Sequence, residues 1–230
     1  HAGATMLSFS RFIEQAQAQH ADYDLRFKHI SKAKSAKQLA AIPDDRWLSV
    51  LSQCVFQSGF NWTVVANKWP RFEEVFLGFD VIDLVMQPDE FYERLMQETG
   101  IIRHHAKIKA VHENAIFFHD LIQSHGSVGQ YFSAWKPEDY ADNLREFRKR
   151  SNRGGGRTGQ VFLRAMGVDT LMFSNDMLQA LISTGVIEAA PSSKASWAKL
   201  QATMDRWREE TGLGLSEISQ ILAWSVGPRK

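Results

Sequence analysis

The chain has 230 residues, a formal net charge of +1, 44% hydrophobic and 23% charged residues, a globular composition that excludes a disordered tail protein and a fibrous repeat. Its one cysteine, Cys54, excludes an internal disulfide and a thiolate-rich zinc site. No apolar run approaches the roughly 20 residues that a membrane-spanning helix needs.

Helical patterns follow one another along the chain. Arg46 to Gln57 carries Trp47, Leu51 and Cys54 on one face and is followed by Gly59, suited to a left-handed helix end. Asn61 suits the N-cap of a short helix from Trp62 to Trp69, with Pro70 as its stop. Pro88 opens a helix that runs to about Glu98 and ends at Gly100, and Arg103 to Gln123 aligns Ile108, Val111, Ala115, Phe118 and Ile122 on one stripe. Helices are expected at Tyr140 to Arg150, Thr158 to Met166 and Asp176 to Ser183, then around Trp197, Leu200, Met204 and Trp207, and from Leu215 to Trp224. Ala190-Pro191-Ser192-Ser193 reads as a loop between them. No segment alternates at period two for long enough to be a strand. The expected fold is all-α, in a single domain over residues 6–230, with His1 to Thr5 set aside as an expression remnant.

Charge is informative through its placement. Between Leu144 and Arg164 stand Arg145, Arg148, Lys149, Arg150, Arg153, Arg157 and Arg164 against Glu146 alone, while acidic residues crowd the stretch from Glu73 to Glu98. A basic segment of this kind neutralises several phosphates, and an acidic stretch elsewhere restricts which face meets a polyanion; a solvated helix face is the alternative.

Three places carry candidate chemistry. The hairpin Arg153, Gly154, Gly155, Gly156, Arg157, Thr158, Gly159, spanning 151–159 with its approach, lets backbone amides come close to a phosphate at a helix start. It is no nucleotide P-loop, because the final Lys-Ser/Thr and the preceding strand are missing. The join Gln57-Ser58-Gly59-Phe60-Asn61-Trp62 offers two aromatics to sandwich a planar base and two amides to read its edge; Phe60 and Trp62 as core residues is the competing reading. Asp176, at an expected helix start, is either a carboxylate that relieves positive charge on a sugar or a helix cap. His104 and His105 have no partner at ligand spacing and read as a solvated or phosphate-facing pair.

Gln57-Ser58-Gly59-Phe60-Asn61-Trp62, followed by Gly100-Ile101-Ile102-Arg103-His104-His105-Ala106-Lys107-Ile108 and by Asn114-Ala115, resembles the DNA-3-methyladenine glycosylase I family over roughly Trp47 to Gly185. The glycine hairpin and the later Asp176 are similar to the wider helix-hairpin-helix DNA glycosylase superfamily. The resemblance implies an all-helical enzyme of base-excision repair that flips an alkylated purine out of double-stranded DNA and hydrolyses its N-glycosidic bond. It implies Trp62 as the stacking residue and Gly154 to Gly159 as the phosphate-binding hairpin; beside it, the reading of the residues expects a base pocket completed by Phe60, Gln57, Asn61 and Cys54, catalysis by Asp176, and further DNA contacts from Arg153, Arg157, Arg103 and Lys107. Two departures stand out. Cys54 occupies the place, eight residues before Trp62, where well-known bacterial members of the family carry a glutamate, and the cysteines and histidines of their zinc site have no counterpart here. No metal and no cofactor is therefore expected, and the protein is read as a cytoplasmic, nucleoid-associated monomer. A non-catalytic binder of DNA lesions or structures that keeps the hairpin is the rival reading, and a helical protein-interaction module is the third.

Overall fold

The computed structural model describes residues 7–228; the segment His1–Thr5 lies outside them. Among the described residues every regular element is helical, as the periodicity predicts. In chain order these are α1 (Ser10–Gln19), α2 (Tyr23–Lys28), α3 (Ala36–Ala40), α4 (Asp44–Gln57), α5 (Trp62–Val75), α6 (Val81–Met86) and α7 (Asp89–Leu95). They continue as α8 (His105–His125), α9 (Val128–Ser133), α10 (Tyr140–Arg150), α11 (Gly156–Met166), α12 (Asn175–Ser183), α13 (Lys194–Thr211) and α14 (Leu215–Trp224). None of these helices is long and apolar enough to cross a membrane. Where one domain is expected, the chain divides into two compact units.

The central unit comprises Lys34–Trp135 and Leu144–Val168. Its core is aromatic. Trp47 of α4 stacks on Phe132 of α9 with ring centroids 4.8 Å apart and meets Phe162 of α11 edge-on at 6.1 Å, while Phe147 stacks on Phe162 at 5.6 Å. Helices α3 and α9 approach so closely that a Cβ on Gly129 would stand 2.4 Å from the Leu39 carbonyl oxygen, which only glycine allows. Asp44 receives the backbone N–H of Val128 at 2.8 Å and so ties the start of α4 to the start of α9.

Pro70, expected to stop a helix, lies inside α5, which runs on to Val75. A proline removes the hydrogen bond to the carbonyl four residues earlier and crowds it. Here that residue is Ala66, and both Ala66 and Pro70 face solvent, so the freed carbonyl is on the side of the helix that water can reach. The opposite face buries Val65, Trp69 and Phe72, and this packing carries the helix through the break.

The terminal unit comprises the chain up to Ala33, Lys136–Asn143, and Asp169 onward. Helices α1 and α2 have weak sequence signals, yet Phe9 and Phe12 pack on Trp207 of α13, each with centroids 5.2 Å away, and the Trp207 indole donates to the Leu7 carbonyl at 2.9 Å. Asp169 caps α14 by accepting the N–H groups of Leu215 and Ser216 at 3.0 and 2.9 Å. The serines of α14 then hold the extended segment before α12: Ser216 Oγ accepts from Thr170 N at 3.2 Å, and Ser219 Oγ accepts from Met172 N at 2.8 Å.

Candidate nucleic-acid interface

The join between α4 and α5 is braced by hydrogen bonds while its aromatics are not buried. Helix α4 ends because Gly59 takes φ +69. Of the carbonyls left over at that end, Phe56 O and Ser58 O accept from the Lys107 ammonium at 3.2 and 2.6 Å, and Gln57 O accepts from Phe60 N at 3.1 Å. Asn61 caps α5 through Oδ1, which accepts from Val64 N at 3.0 Å, so its acceptor oxygen is committed to the helix and only its Nδ2 donor is left for a base edge. Gln57 is buried and donates weakly to Trp62 O at 3.4 Å.

On this fixed frame Phe60 is 45% exposed, Trp62 54% and Val64 38%. Exposure of three apolar side chains at one turn removes the core reading of Phe60 and Trp62, and sequence patterning had given no sign of Val64. Cys54 of α4 is buried, and burial pushes its thiol up to about 12, so it is uncharged at physiological pH.

The hairpin joins α10 to α11. Arg153 stands at φ +61 and Gly156 at φ +57. Gly154 and Gly159 are demanded by packing, since a Cβ on either would come within 2.3 Å of Ser151 Oγ or of the Gly154 carbonyl oxygen. Gly155, by contrast, faces open space and forms the N-cap of α11 with no side-chain cap over the first amides. That arrangement leaves N–H groups and the positive end of the helix dipole available to an anion. Arg153 and Arg157 are exposed beside it, Thr158 is half-buried, Arg148 braces the turn by donating to Gly156 O at 2.9 Å, and Arg150 pairs with Glu146 at 3.2 Å.

Of the remaining expected residues, Arg103 is exposed at the approach to α8. Lys107 is corrected: it is 6% exposed and acts as an internal strut for α4, with burial first and the charge of Arg153 second lowering its affinity for a proton. His104 is the N-cap of α8, its Nδ1 accepting from Lys107 N at 3.2 Å. Asp176 is half-buried in the first turn of α12, in the terminal unit, and the cap of that helix is Ser174, whose Oγ accepts from Met177 N at 3.1 Å. Among the described residues, no cluster of three or more histidine, cysteine or acidic side chains is arranged to hold a metal ion.

The profile of the methyladenine glycosylase family matches residues 39–153, half of the chain. The chain belongs to the methyladenine glycosylase family. DNA-3-methyladenine glycosylase 1 of Escherichia coli is 39% identical over 59 residues, 26% of this chain, and that stretch spans about a third (32%) of the curated protein's length. A 3-methyladenine DNA glycosylase I from Staphylococcus aureus superposes with a TM-score of 0.50 at 17% identity, over 65% of this chain and 87% of that one. The 8-oxoguanine DNA glycosylase of Methanocaldococcus jannaschii reaches 0.54 at 15% identity over 92% and 91%. The fold is thus that of the helix-hairpin-helix DNA glycosylases, and this methyladenine glycosylase family member carries it through terminal helices that lie beyond the family match.

Proposed function

We propose that the chain is a DNA glycosylase that excises alkylated purines such as 3-methyladenine from double-stranded DNA. The observation that carries this reading is the exposed Phe60 and Trp62 on a join braced by Lys107 and by the Asn61 cap: a protein gains nothing in stability from leaving two aromatics in water, and a planar, cationic base is what such faces hold. The hairpin supplies the phosphate contacts, and the flipped base stacks on Trp62. A 3-methylated adenine carries a positive charge, so its bond to C1′ breaks with the electron pair leaving on N9, and the base departs neutral without an added proton. The sugar becomes an oxocarbenium cation. A water oxygen adds at C1′ and gives up a proton, and Asp176 is the carboxylate assigned to stabilise that cation. A neutral Cys54 suffices for so good a leaving group, and such an enzyme works where the DNA is, in the cytoplasm.

Cys54 also favours a second reading, in which an uncharged residue at the base edge leaves a lesion binder without chemistry. Single-turnover release of free base from methylated duplex, identified by chromatography, separates the two. Release by the wild-type protein and a loss of about tenfold in a folded Asp176→Asn protein are expected, the modest size reflecting the activated leaving group. Wild-type rates in that variant would remove Asp176 from the chemistry, and tight lesion binding with no release would establish the binder.

A further inference from the structure

Asn114 lies midway along α8 and is 1% exposed. Its carboxamide grips one hairpin residue by both backbone groups: Nδ2 donates to Asn152 O at 3.0 Å, and Oδ1 accepts from Asn152 N at 2.7 Å. A single bond lets a peptide rotate about it, and a two-point clamp does not; a carboxamide offers a donor and an acceptor at this spacing with no charge and no change of protonation. The next residue is Arg153, held at φ +61. Arginine lacks the short polar group that lets asparagine or aspartate tolerate the left-handed region, so the conformation is imposed from outside the residue. Immediately beyond stand exposed Gly155, Gly156 and Arg157 and the uncapped amides of α11.

We propose that Asn114 is a positioning residue for DNA-backbone binding: by clamping Asn152 it forces Arg153 into the left-handed region, and this sets the direction in which the Arg153 side chain and the first amides of α11 meet a phosphate. The inference rests on the DNA-binding reading of the hairpin. Being buried, Asn114 touches no DNA, so its loss weakens binding while leaving the chemical step intact. The clamp is worth two hydrogen bonds, and its removal lets residue 153 relax, which corresponds to roughly a tenfold loss of affinity.

The full chain carrying Asn114→Ala is titrated with undamaged duplex and followed in single-turnover base release as enzyme concentration is raised. Half-saturation is expected to move up about tenfold in both assays while the plateau rate stays within about twofold of wild type. A general packing defect would lower the melting temperature and the plateau together. In the Asn114→Ala background, Arg153→Gly and Arg153→Ala remove the same charge, but only glycine enters φ +61 without strain; the glycine protein is expected to bind about threefold more tightly than the alanine one. Asn114→Ser serves in the same comparisons if Asn114→Ala does not fold. Wild-type affinity in the folded Asn114 variant, or equal affinity of the two residue-153 variants, overturns the proposal. A wild-type protein that binds no duplex overturns it together with the DNA-binding reading; one that binds duplex but releases no base overturns only the chemistry, and the binding comparisons still decide the role of Asn114.

Discussion

The two ends of α5 use aromatic residues in opposite ways. At its start, Phe60 and Trp62 stand in solvent. Toward its end Trp69 stacks on Phe72 and Phe79 at 4.6 and 5.3 Å, and Phe76, stacked on both phenylalanines, closes a cluster of four rings. The buried end is also wired electrostatically: the Trp69 indole donates to Ser49 Oγ at 3.0 Å, Ser49 donates to Glu73 at 2.6 Å, and Arg46 pairs with the same carboxylate at 2.7 Å. One end of the helix supplies the rigidity that lets the other hold apolar surface in water without collapsing inward.

The largest expected effect breaks the buried end. Trp69→Ala removes a stacked ring and the indole donor to Ser49 Oγ, so it should cost about 3–5 kcal/mol in denaturant unfolding. Trp62→Ala should do the opposite: its stability change stays within about 0.5 kcal/mol, while preference for methylated over intact duplex falls by roughly ten- to hundredfold, or about 1–3 kcal/mol. A large stability loss in Trp62→Ala, measured by melting, would erase the contrast between the ends.

A third test concerns the hairpin, which should govern affinity without lesion preference. Arg153→Ala with Arg157→Ala is expected to weaken intact and methylated duplex alike and to flatten the plot of log K against log salt by roughly 2. An unchanged slope would separate these arginines from the phosphates.

The smallest effect reads the wiring at the buried end. Burial pushes the Glu73 carboxyl up, but hydrogen bonds from Arg46 and Ser49 outweigh it and hold the group below the ordinary value of 4.5. A carboxyl depressed in the folded state adds stability that is complete above its unfolded value and is lost as pH falls through its folded value. The melting temperature should therefore drop below about pH 4.5 in the wild type, and this acid limb should be shallower in Glu73→Gln.

Much of this was legible from residue order. Gly59 and Asn61 mark the end of α4 and the start of α5 because a left-handed glycine and a side-chain cap are local devices, written within a few residues of where they act. The glycine hairpin is legible for the same reason. Lys107 was misread because its partners, the carbonyls of Phe56 and Ser58, lie some fifty residues away and carry no mark in the sequence. Pro70 was misread because its stop rule is local, whereas the burial of Val65, Trp69 and Phe72 that overrides it is tertiary. The exposure of Phe60 and Trp62 is likewise a property of the folded surface, since the same two letters at the same spacing fit a core equally well.

Cys54 has a consequence for how the protein survives its own setting. Methylating agents that damage purines also attack sulfur, and they attack the thiolate far faster than the thiol. With its thiol pushed up to about 12 by burial, the chain's one cysteine stays a thiol at neutral pH. Under the exposure that creates its proposed substrate, the chain's one thiol is therefore held back from the alkylating agent, and among the described residues the sulfur most open to attack is a thioether, that of Met86, which is 74% exposed.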